Sequence, residues 1–198
     1  MTKSFTALTS HPFRTGTDIA RPTQVLPEHV TLEDPAVNVM TDLRSISVLN
    51  VRAKTTLDKA NAKMIRYGVR MLLVTDDSDK VCGVLTATDV LGDRPVRFLQ
   101  EMGGTHADIQ VRDVMSVVRE MSASLLEDVL KARVGNVLAM LTVAGRQHAL
   151  VVETNADGSQ TVRGLFSATQ IARQLGVQIG TTEIAKVFAA IDAKVRAK

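Results

Sequence analysis

Two copies of a short motif hold the residues best suited to bind a ligand. They are GVLTATD at residues 83–89 and GLFSATQ at residues 164–170. In each copy an apolar run ends at small hydroxyl residues where a helical pattern begins, so each motif predicts a strand that turns into a helix. Such a junction presents backbone N–H donors and the positive end of a helix dipole, which suit anions. Asp89 adds a carboxylate that could accept hydrogen bonds from both hydroxyls of a ribose, whereas its counterpart Gln170 has no charge.

Helix capping is a second explanation of the same residues. Thr and Asp are favoured at helix N-termini for capping alone, whether or not a ligand binds there. The repetition of the pattern favours ligand binding by the first copy, and capping stays the stronger explanation for the copy that ends in Gln170.

The other residues capable of chemistry indicate neither a metal site nor an enzyme. The histidines are His11, His29, His106 and His148, and no two have the short spacing that places both on one metal ion. The single cysteine, Cys82, lies in an apolar run, which predicts a buried and unreactive thiol. The sequence has no Walker loop, Rossmann glycine fingerprint or Gly-x-Ser-x-Gly elbow. We therefore predict no enzymatic activity, no catalytic residue, no metal and no catalytic cofactor.

Composition limits the partners. The 24 basic and 21 acidic residues give a formal charge of only +3, and aromatic residues make up 3% of the chain, which disfavours nucleic-acid binding. No apolar stretch approaches the roughly 18 residues needed to span a membrane, and the N-terminus has no signal-peptide core. With a single cysteine, the expectation is a cytoplasmic protein that does not bind membranes.

The second half of the chain repeats the elements of the first. NVMT at 38–41 is matched by DVMS at 113–116, and a helix that ends at Gly68 before an apolar strand is matched by one that ends at Gly145. Each strand begins a hairpin that leads into the motif. The spacing between matched elements grows by four residues across the second hairpin, which predicts an insertion in its turn at 154–160.

The flanking segments differ from the repeats. Residues 1–34 carry Pro12, Pro22 and Pro27 without sustained periodicity and are predicted to form an extended arm. At the other end, Thr182 is predicted to cap an amphipathic helix. Its apolar stripe contains Ile184, Val187, Phe188, Ile191 and Val195.

The combination resembles the tandem CBS (cystathionine β-synthase) domain pair, or Bateman module, of a stand-alone bacterial type. Each half has a Val-Met-Thr/Ser entry, a helix that ends in glycine before a Leu-Val strand, a hairpin, and a Gly-hydrophobic-x-Thr/Ser exit that in the first half ends in Asp89. The resemblance implies an α/β (α+β) fold of two β-α-β-β-α units that pack through their sheets with pseudo-twofold symmetry. The predicted segments are the arm (1–34), the first CBS repeat (35–104), the second CBS repeat (105–176) and the C-terminal helix (177–198).

Proteins similar to this one bind AMP, ADP, ATP or S-adenosylmethionine as a regulatory ligand in clefts between the two repeats. They frequently form homodimers and signal to an effector protein. The resemblance assigns Thr86 and Asp89 to the phosphate side and the ribose, and we expect this first site to be the better one because Gln170 departs from the acidic residue of the family. The segments 51–54 and 129–131 match the stretch that lines the adenine pocket. The predicted ligand-binding residues are Thr86, Asp89, Thr88, Val51, Ala53, Lys54, Arg70, Met71, Lys131, Gln147, His148, Ser167, Thr169 and Gln170.

Three functions therefore compete at the level of sequence. The leading one is a regulatory module that senses an adenine nucleotide by a conformational change. The alternatives are a structural dimerisation adaptor with no bound ligand and a nucleic-acid-binding protein. Nucleotide titration separates the first two, and a steep salt dependence of binding to DNA or RNA would support the third.

Overall fold

The computed structural model describes residues 8–12, 14–20, 22–177 and 184–196. Within these residues, eight strands form two four-stranded sheets, with the orders β2-β3-β4-β5 and β1-β8-β7-β6. The strands are β1 (Thr41–Asp42), β2 (Asn50–Arg52), β3 (Met71–Thr75), β4 (Val81–Thr86), β5 (Ser116–Val117), β6 (Ala123–Leu125), β7 (His148–Thr154) and β8 (Gln160–Ser167).

Helices cover the outer faces of the sheets. The α-helices are α1 (Leu57–Tyr67), α2 (Ala87–Leu91), α3 (Arg94–Met102), α4 (Val111–Val114), α5 (Leu126–Val129), α6 (Val134–Ala144), α7 (Ala168–Gln174) and α8 (Ile184–Arg196). Short 3₁₀ turns lie at Ala36–Val39, His106–Asp108 and Val118–Glu120. The predicted mixed fold of α-helices and β-sheets is confirmed.

The two main helices end as their sequences predict. Gly68 follows α1 with φ of 63°, and Gly145 follows α6 with φ of 59°. Both are in the left-handed region, where glycine stops a helix without a steric penalty. After each glycine the chain enters a central strand of its sheet. These strands are β3 after Gly68 and β7 after Gly145.

Each half of the chain contributes one short strand to the sheet of the other half. β1 pairs antiparallel with β8, with Thr41 opposite Leu165, although β1 belongs to the first half of the chain. In the same way β5, from the start of the second half, pairs antiparallel with β4. These two pairings connect the two halves of the chain by β-sheet hydrogen bonds. The domain boundaries predicted from the sequence stay predictions.

Three buried clusters follow from this arrangement. One lies between the β2-β3-β4-β5 sheet and α1, around Leu57, Leu72 and Leu85. Another lies under α6 and α7, around Leu141 and Phe166, and also contains the 3₁₀ turn of the first half. The third joins the facing sheets through Leu73, Val84 and Leu150. These clusters fix the relative positions of the residues between the sheets.

The predicted insertion lengthens the second hairpin rather than its turn. The turns at Asp76–Lys80 and Asn155–Ser159 are each closed by the same type of backbone hydrogen bond between their first and fifth residues. β7 and β8 have 7 and 8 residues, compared with 5 and 6 in β3 and β4. The expectation of a longer turn was wrong, because the extra residues pair with each other and extend the ladder.

The ends of the chain are partly described. Residues 22–29 have no helix or strand, and α8 places Phe188 and Ile191 against the cluster beneath α6 and α7. The predicted cap Thr182 lies outside the described residues, as do the side chains of Ile184, Val187 and Val195. Among the helices that are described, none has both the length and the apolar character that a membrane span requires.

Candidate ligand-binding site

A cavity of about 350 Å³ lies between the two sheets and has walls from both. The first sheet contributes the segment 46–49 before β2 and the segment 68–71 at the start of β3. The second sheet contributes the first residue of β7 and the junction of β8 with α7, residues 165–173. This is the cleft that contains the second copy of the motif, and we call it the Arg70 cleft.

The Arg70 cleft is positively charged. Arg70 and Arg173 line it, and none of the described residues that line it is acidic. The Arg70 Nε atom is buried and has no hydrogen-bond partner in the described structure. A buried donor without an acceptor is costly, and a guanidinium is well shaped to bind a phosphate or carboxylate. The site therefore offers a donor that an anionic ligand would satisfy.

His148 lies beside Arg70 as a neutral imidazole. Burial, together with the positive charge of Arg70, lowers the pKa of His148 from 6.5 to about 4. The imidazole is therefore uncharged near pH 7, with one nitrogen as donor and the other as acceptor. His148 is also paired with Ser167 across β7 and β8, which places a hydroxyl next to the ring.

The end of the second motif supplies further polar groups. Ser167, Thr169 and Gln170 all line the Arg70 cleft. The backbone N–H of Gln170 donates to Ser167 Oγ at 3.5 Å, and Gln170 Oε1 accepts from Thr41 Oγ1 at 3.2 Å. These are long bonds, so the hydroxyls and the amide keep capacity for another partner.

In the first motif, the polar groups of Thr86 and Asp89 are bonded to other groups of the protein. Asp89 Oδ2 accepts from the backbone N–H of Thr86 at 2.8 Å and from its hydroxyl at 2.7 Å, which forms a capping box at the start of α2. Asp89 Oδ1 lies 3.1 Å from Arg94 Nη1. The same nitrogen donates to the carbonyl of Val114 at 2.7 Å and to Ser116 Oγ at 3.3 Å. The Arg94 guanidinium therefore occupies the position where a ligand would meet Asp89.

The remaining predicted residues do not line the Arg70 cleft, apart from Met71. Val51 is in the core beneath α1, where Ala53 packs against the same cluster. Lys54 pairs with Asp77 of the first hairpin at 2.5 Å, and Lys131 is exposed in the turn after α5. Thr88 is exposed, while Gln147 is buried and its carbonyl accepts from Ala168 N at 2.8 Å.

Sequence reasoning missed several parts of the Arg70 cleft, and three of them bear on ligand binding. These are Thr41 of β1, the segment 46–49 and Arg173. The segment 46–49 lies just before the predicted adenine-pocket stretch at 51–54, so the correct signal was the apolar run before the strand. Arg173 follows Gln170 by one helical turn, and this spacing puts both side chains on one face of α7.

Comparison with known proteins agrees with this architecture. Residues 36–94 match the family model of the CBS domain. None of the curated proteins compared with the chain matches it. A conserved protein from Pyrococcus horikoshii is 21% identical with a TM-score of 0.54 over 77% of this chain and 100% of its own.

Two further solved structures carry the CBS name. CBSX2 in complex with AMP is 20% identical with a TM-score of 0.51, over 71% of this chain and 94% of its own. A conserved CBS domain protein from Thermoplasma acidophilum is 18% identical with a TM-score of 0.50, over 77% of each chain. At these identities the likeness establishes a shared fold. The chain therefore has the fold of these solved proteins, and its residues 36–94 match the CBS domain model.

Proposed function

We propose that this protein is a regulatory module that binds an adenine nucleotide in the Arg70 cleft. The observation that carries the proposal is Arg70, whose buried Nε lacks a partner and which lines a cavity with no acidic residue among its described lining residues. The AMP bound to CBSX2, a protein of the same fold, supports a nucleotide as the ligand class.

The lining of the cleft separates the two ends of such a ligand. Ile46, Val48 and Leu165 provide apolar surface for a flat base. Arg70 provides the cation for a phosphate, and Ser167 and Thr169 provide hydroxyls for the sugar and phosphate oxygens. Ligand sites in proteins typically combine apolar walls with a few polar groups, in cavities of roughly 300–1,000 Å³. The cavity of about 350 Å³ falls in that range.

The charge of the cleft ranks the candidate ligands. Arg70 and Arg173 favour AMP, ADP and ATP over uncharged adenosine. They disfavour S-adenosylmethionine, whose sulfonium is positively charged and would find no carboxylate among the lining residues. The module thus senses phosphorylated nucleotides.

Ligand binding would connect the two sheets. Arg70 precedes β3 of the first sheet, whereas Ser167 ends β8 of the second. A nucleotide that contacts both favours the relative orientation of the sheets that lets it do so, which is a shift between conformations that already exist. An effector protein that recognises the altered surface would receive the signal.

Dimer formation belongs to the same proposal. Ile65 on α1 and Leu91 on α2 are 73% and 76% exposed, and these two helices contact each other. Exposed apolar side chains on neighbouring helices favour association with a second copy of the chain. Light scattering coupled to size-exclusion chromatography measures this, and a mass of one chain at all concentrations would contradict it.

A thermal-shift panel with AMP, ADP, ATP, GTP, adenosine and S-adenosylmethionine tests the proposed ligand class. A ligand at about 100 times its dissociation constant adds roughly 2.7 kcal/mol to the free energy of unfolding. We expect a raised melting temperature with the adenine nucleotides and no shift with S-adenosylmethionine. If no compound shifts the melting temperature, the adaptor without a ligand becomes the better description.

A further inference from the structure

An amide chain connects the Arg70 cleft to the N-terminal arm. Gln170 lines the cleft, and its Nε2 donates to Gln174 Oε1 at 3.4 Å. Gln174 Nε2 in turn donates to the carbonyl of Pro27 in the arm at 2.7 Å, and to that of Asn38 at 3.0 Å. Gln174 is only 7% exposed, so its amide depends on these protein partners.

Gln174 accepts from Gln170 and donates to the carbonyls of Pro27 and Asn38, so these three partners together set its orientation. An amide has a donor end and an acceptor end, so the Gln170 donor turns the oxygen of Gln174 towards the cleft and its nitrogen towards Pro27. Any change that removes the Gln170 donor leaves the buried oxygen of Gln174 without the hydrogen bond that the structure gives it. An unpaired buried oxygen is costly, and rotation of the amide towards another donor would relieve that cost.

The hydrogen bonds at the two ends of this chain of amides differ in length. The Gln170 Nε2 bonds to Gln174 and to the carbonyl of Val39 are 3.4 and 3.5 Å long, near the limit for a hydrogen bond. The Gln174 bonds to the arm and to Asn38 are short. A ligand in the cleft therefore competes only with the long contacts of Gln170. The bond that breaks as a result is the short one from Gln174 to Pro27.

Three more hydrogen bonds hold the arm near the same place. The backbone N–H of Val30 donates to the carbonyl of Gln174 at 2.9 Å. Gln24 accepts from the backbone N–H of Asp42 at 2.8 Å and donates to the carbonyl of Met40 at 2.9 Å. The arm thus crosses β1 and the end of α7, beside the cleft, and movement of Gln174 acts directly on it.

We propose that occupancy of the Arg70 cleft releases the arm through the Gln170–Gln174 pair. When a ligand hydroxyl or phosphate engages Gln170, Gln174 loses its donor, rotates and gives up the bond to Pro27. The arm residues 22–30 then detach and present a changed surface to a partner. This inference rests on the proposed function for the identity of the occupant, but the amide pair can be tested without any ligand.

The test is hydrogen–deuterium exchange of the full chain with the variant Gln170→Glu. Glutamate accepts but does not donate, so it draws the nitrogen of Gln174 towards itself and turns the oxygen of Gln174 towards the carbonyl of Pro27. Without ligand, we expect amides in 22–32 to exchange about three to ten times faster than in the wild type. Gln160→Glu, at an exposed position, is the matched control for the added charge and should leave this exchange unchanged.

Exchange in α1 reports whether a variant is still folded, because this helix lies in a different core. Unchanged exchange at 22–32 in Gln170→Glu, with α1 protected as in the wild type, would overturn the proposal. Fast exchange in α1 as well would mean global loosening, and Gln174→Met then decides. This variant removes the amide and keeps the size, so it should release the arm even without ligand, and an arm that stays protected in it overturns the proposal.

A second arm of the experiment adds AMP at a concentration that saturates the thermal shift. The wild type should then show the same faster exchange at 22–32, and Gln174→Met should show no further increase. A thermal shift without any change at 22–32 rejects the release of the arm and leaves the proposed function intact. No thermal shift with AMP counts against the proposed ligand instead, while the ligand-free comparison still decides the role of the amide pair.

Discussion

Arg94 Nη1 lies 3.1 Å from Asp89 Oδ1 and holds the carboxylate that the sequence assigns to a ribose. The other carboxylate oxygen caps α2 through Thr86, so both oxygens of Asp89 are engaged within the chain. Because both oxygens of Asp89 are bonded within the chain, whereas Ser167 and Thr169 line the Arg70 cleft, the two motifs are not equivalent. We therefore expect one bound nucleotide per chain.

Removing the Arg94 side chain should free the Asp89 carboxylate of the first motif for a ligand. In Arg94→Ala, Asp89 loses its cation and becomes available to a ribose, so we expect a second, weaker AMP site in isothermal titration calorimetry. The Asp89 side chain is only 11% exposed, and the variant also loses the bonds to Val114 and Ser116, so folding stability should fall by about 1–3 kcal/mol.

Arg97→Ala is the matched control for this prediction. Arg97 is in the same helix and pairs with Asp93, away from the motif. It should keep one site per chain. A stoichiometry of two in the wild type, or of one in Arg94→Ala, would show that the Arg94–Asp89 pair does not keep a nucleotide from the first motif.

The glycine of the second motif allows a close approach of β1. A Cβ at Gly164 would lie 2.9 Å from Met40 Sδ and 2.9 Å from the carbonyl of Thr41. Gly164→Ala should therefore push β1 away and lower the free energy of unfolding by about 1–3 kcal/mol, measured by urea denaturation.

Gly135→Ala serves as the comparison for Gly164→Ala. Gly135 lies in α6, and the nearest atom to an added Cβ there is 3.4 Å away, so alanine fits and its helix propensity offsets any crowding. If Gly164→Ala unfolds at the same urea concentration as the wild type, the close approach of β1 is not the reason for glycine at this position.

His148 should make stability depend on pH in a defined window. Its pKa is about 4 in the folded chain, below 6.5, so folding favours the neutral form. The resulting stability is complete above pH 6.5 and is lost as the pH falls from about 6.5 to about 4, by roughly 1–3 kcal/mol. Denaturation of the wild type and His148→Gln across this range measures the difference.

The variant separates His148 from the carboxylates. Hydrogen bonds to Thr31 and to Thr105 lower the pKa values of Asp34 and Asp108 below 3.8, so these groups act at lower pH in both proteins. An equal loss of stability between pH 6.5 and 4 in wild type and His148→Gln would show that His148 is not the titrating group.

Local signals in the sequence predict most of the fold. The periodicity before Gly68 and the apolar runs at 71–74 and 81–85 correspond to α1, β3 and β4 within two residues. The run at 45–51 is rich in Ile and Val, which is typical of a strand, yet only Asn50–Arg52 pair with β3. Ile46 and Val48 are apolar because they line the cleft, and a periodic pattern does not distinguish that role from a strand.

The candidate site was predictable only in part. Arg70, His148 and Ser167 line the cleft as the repeat suggests. The preference for the Asp89 site is a prediction that the sequence could not refine, because the bonds of Arg94 to Val114 and Ser116 depend on tertiary packing. The sequence shows an aspartate at position 89 whether its carboxylate is free or bonded within the chain.

The central claim is that the Arg70 cleft binds an adenine nucleotide through Arg70. Calorimetric titration of AMP into the wild type, Arg70→Gln and the exposed control Arg119→Gln tests it most directly. Loss of a charged hydrogen bond is worth about 1.5–3 kcal/mol, so Arg70→Gln should weaken AMP binding by roughly ten- to a hundredfold. Arg119→Gln should bind as the wild type does. Equal affinity for AMP in all three proteins, or no binding to the wild type, would contradict the account.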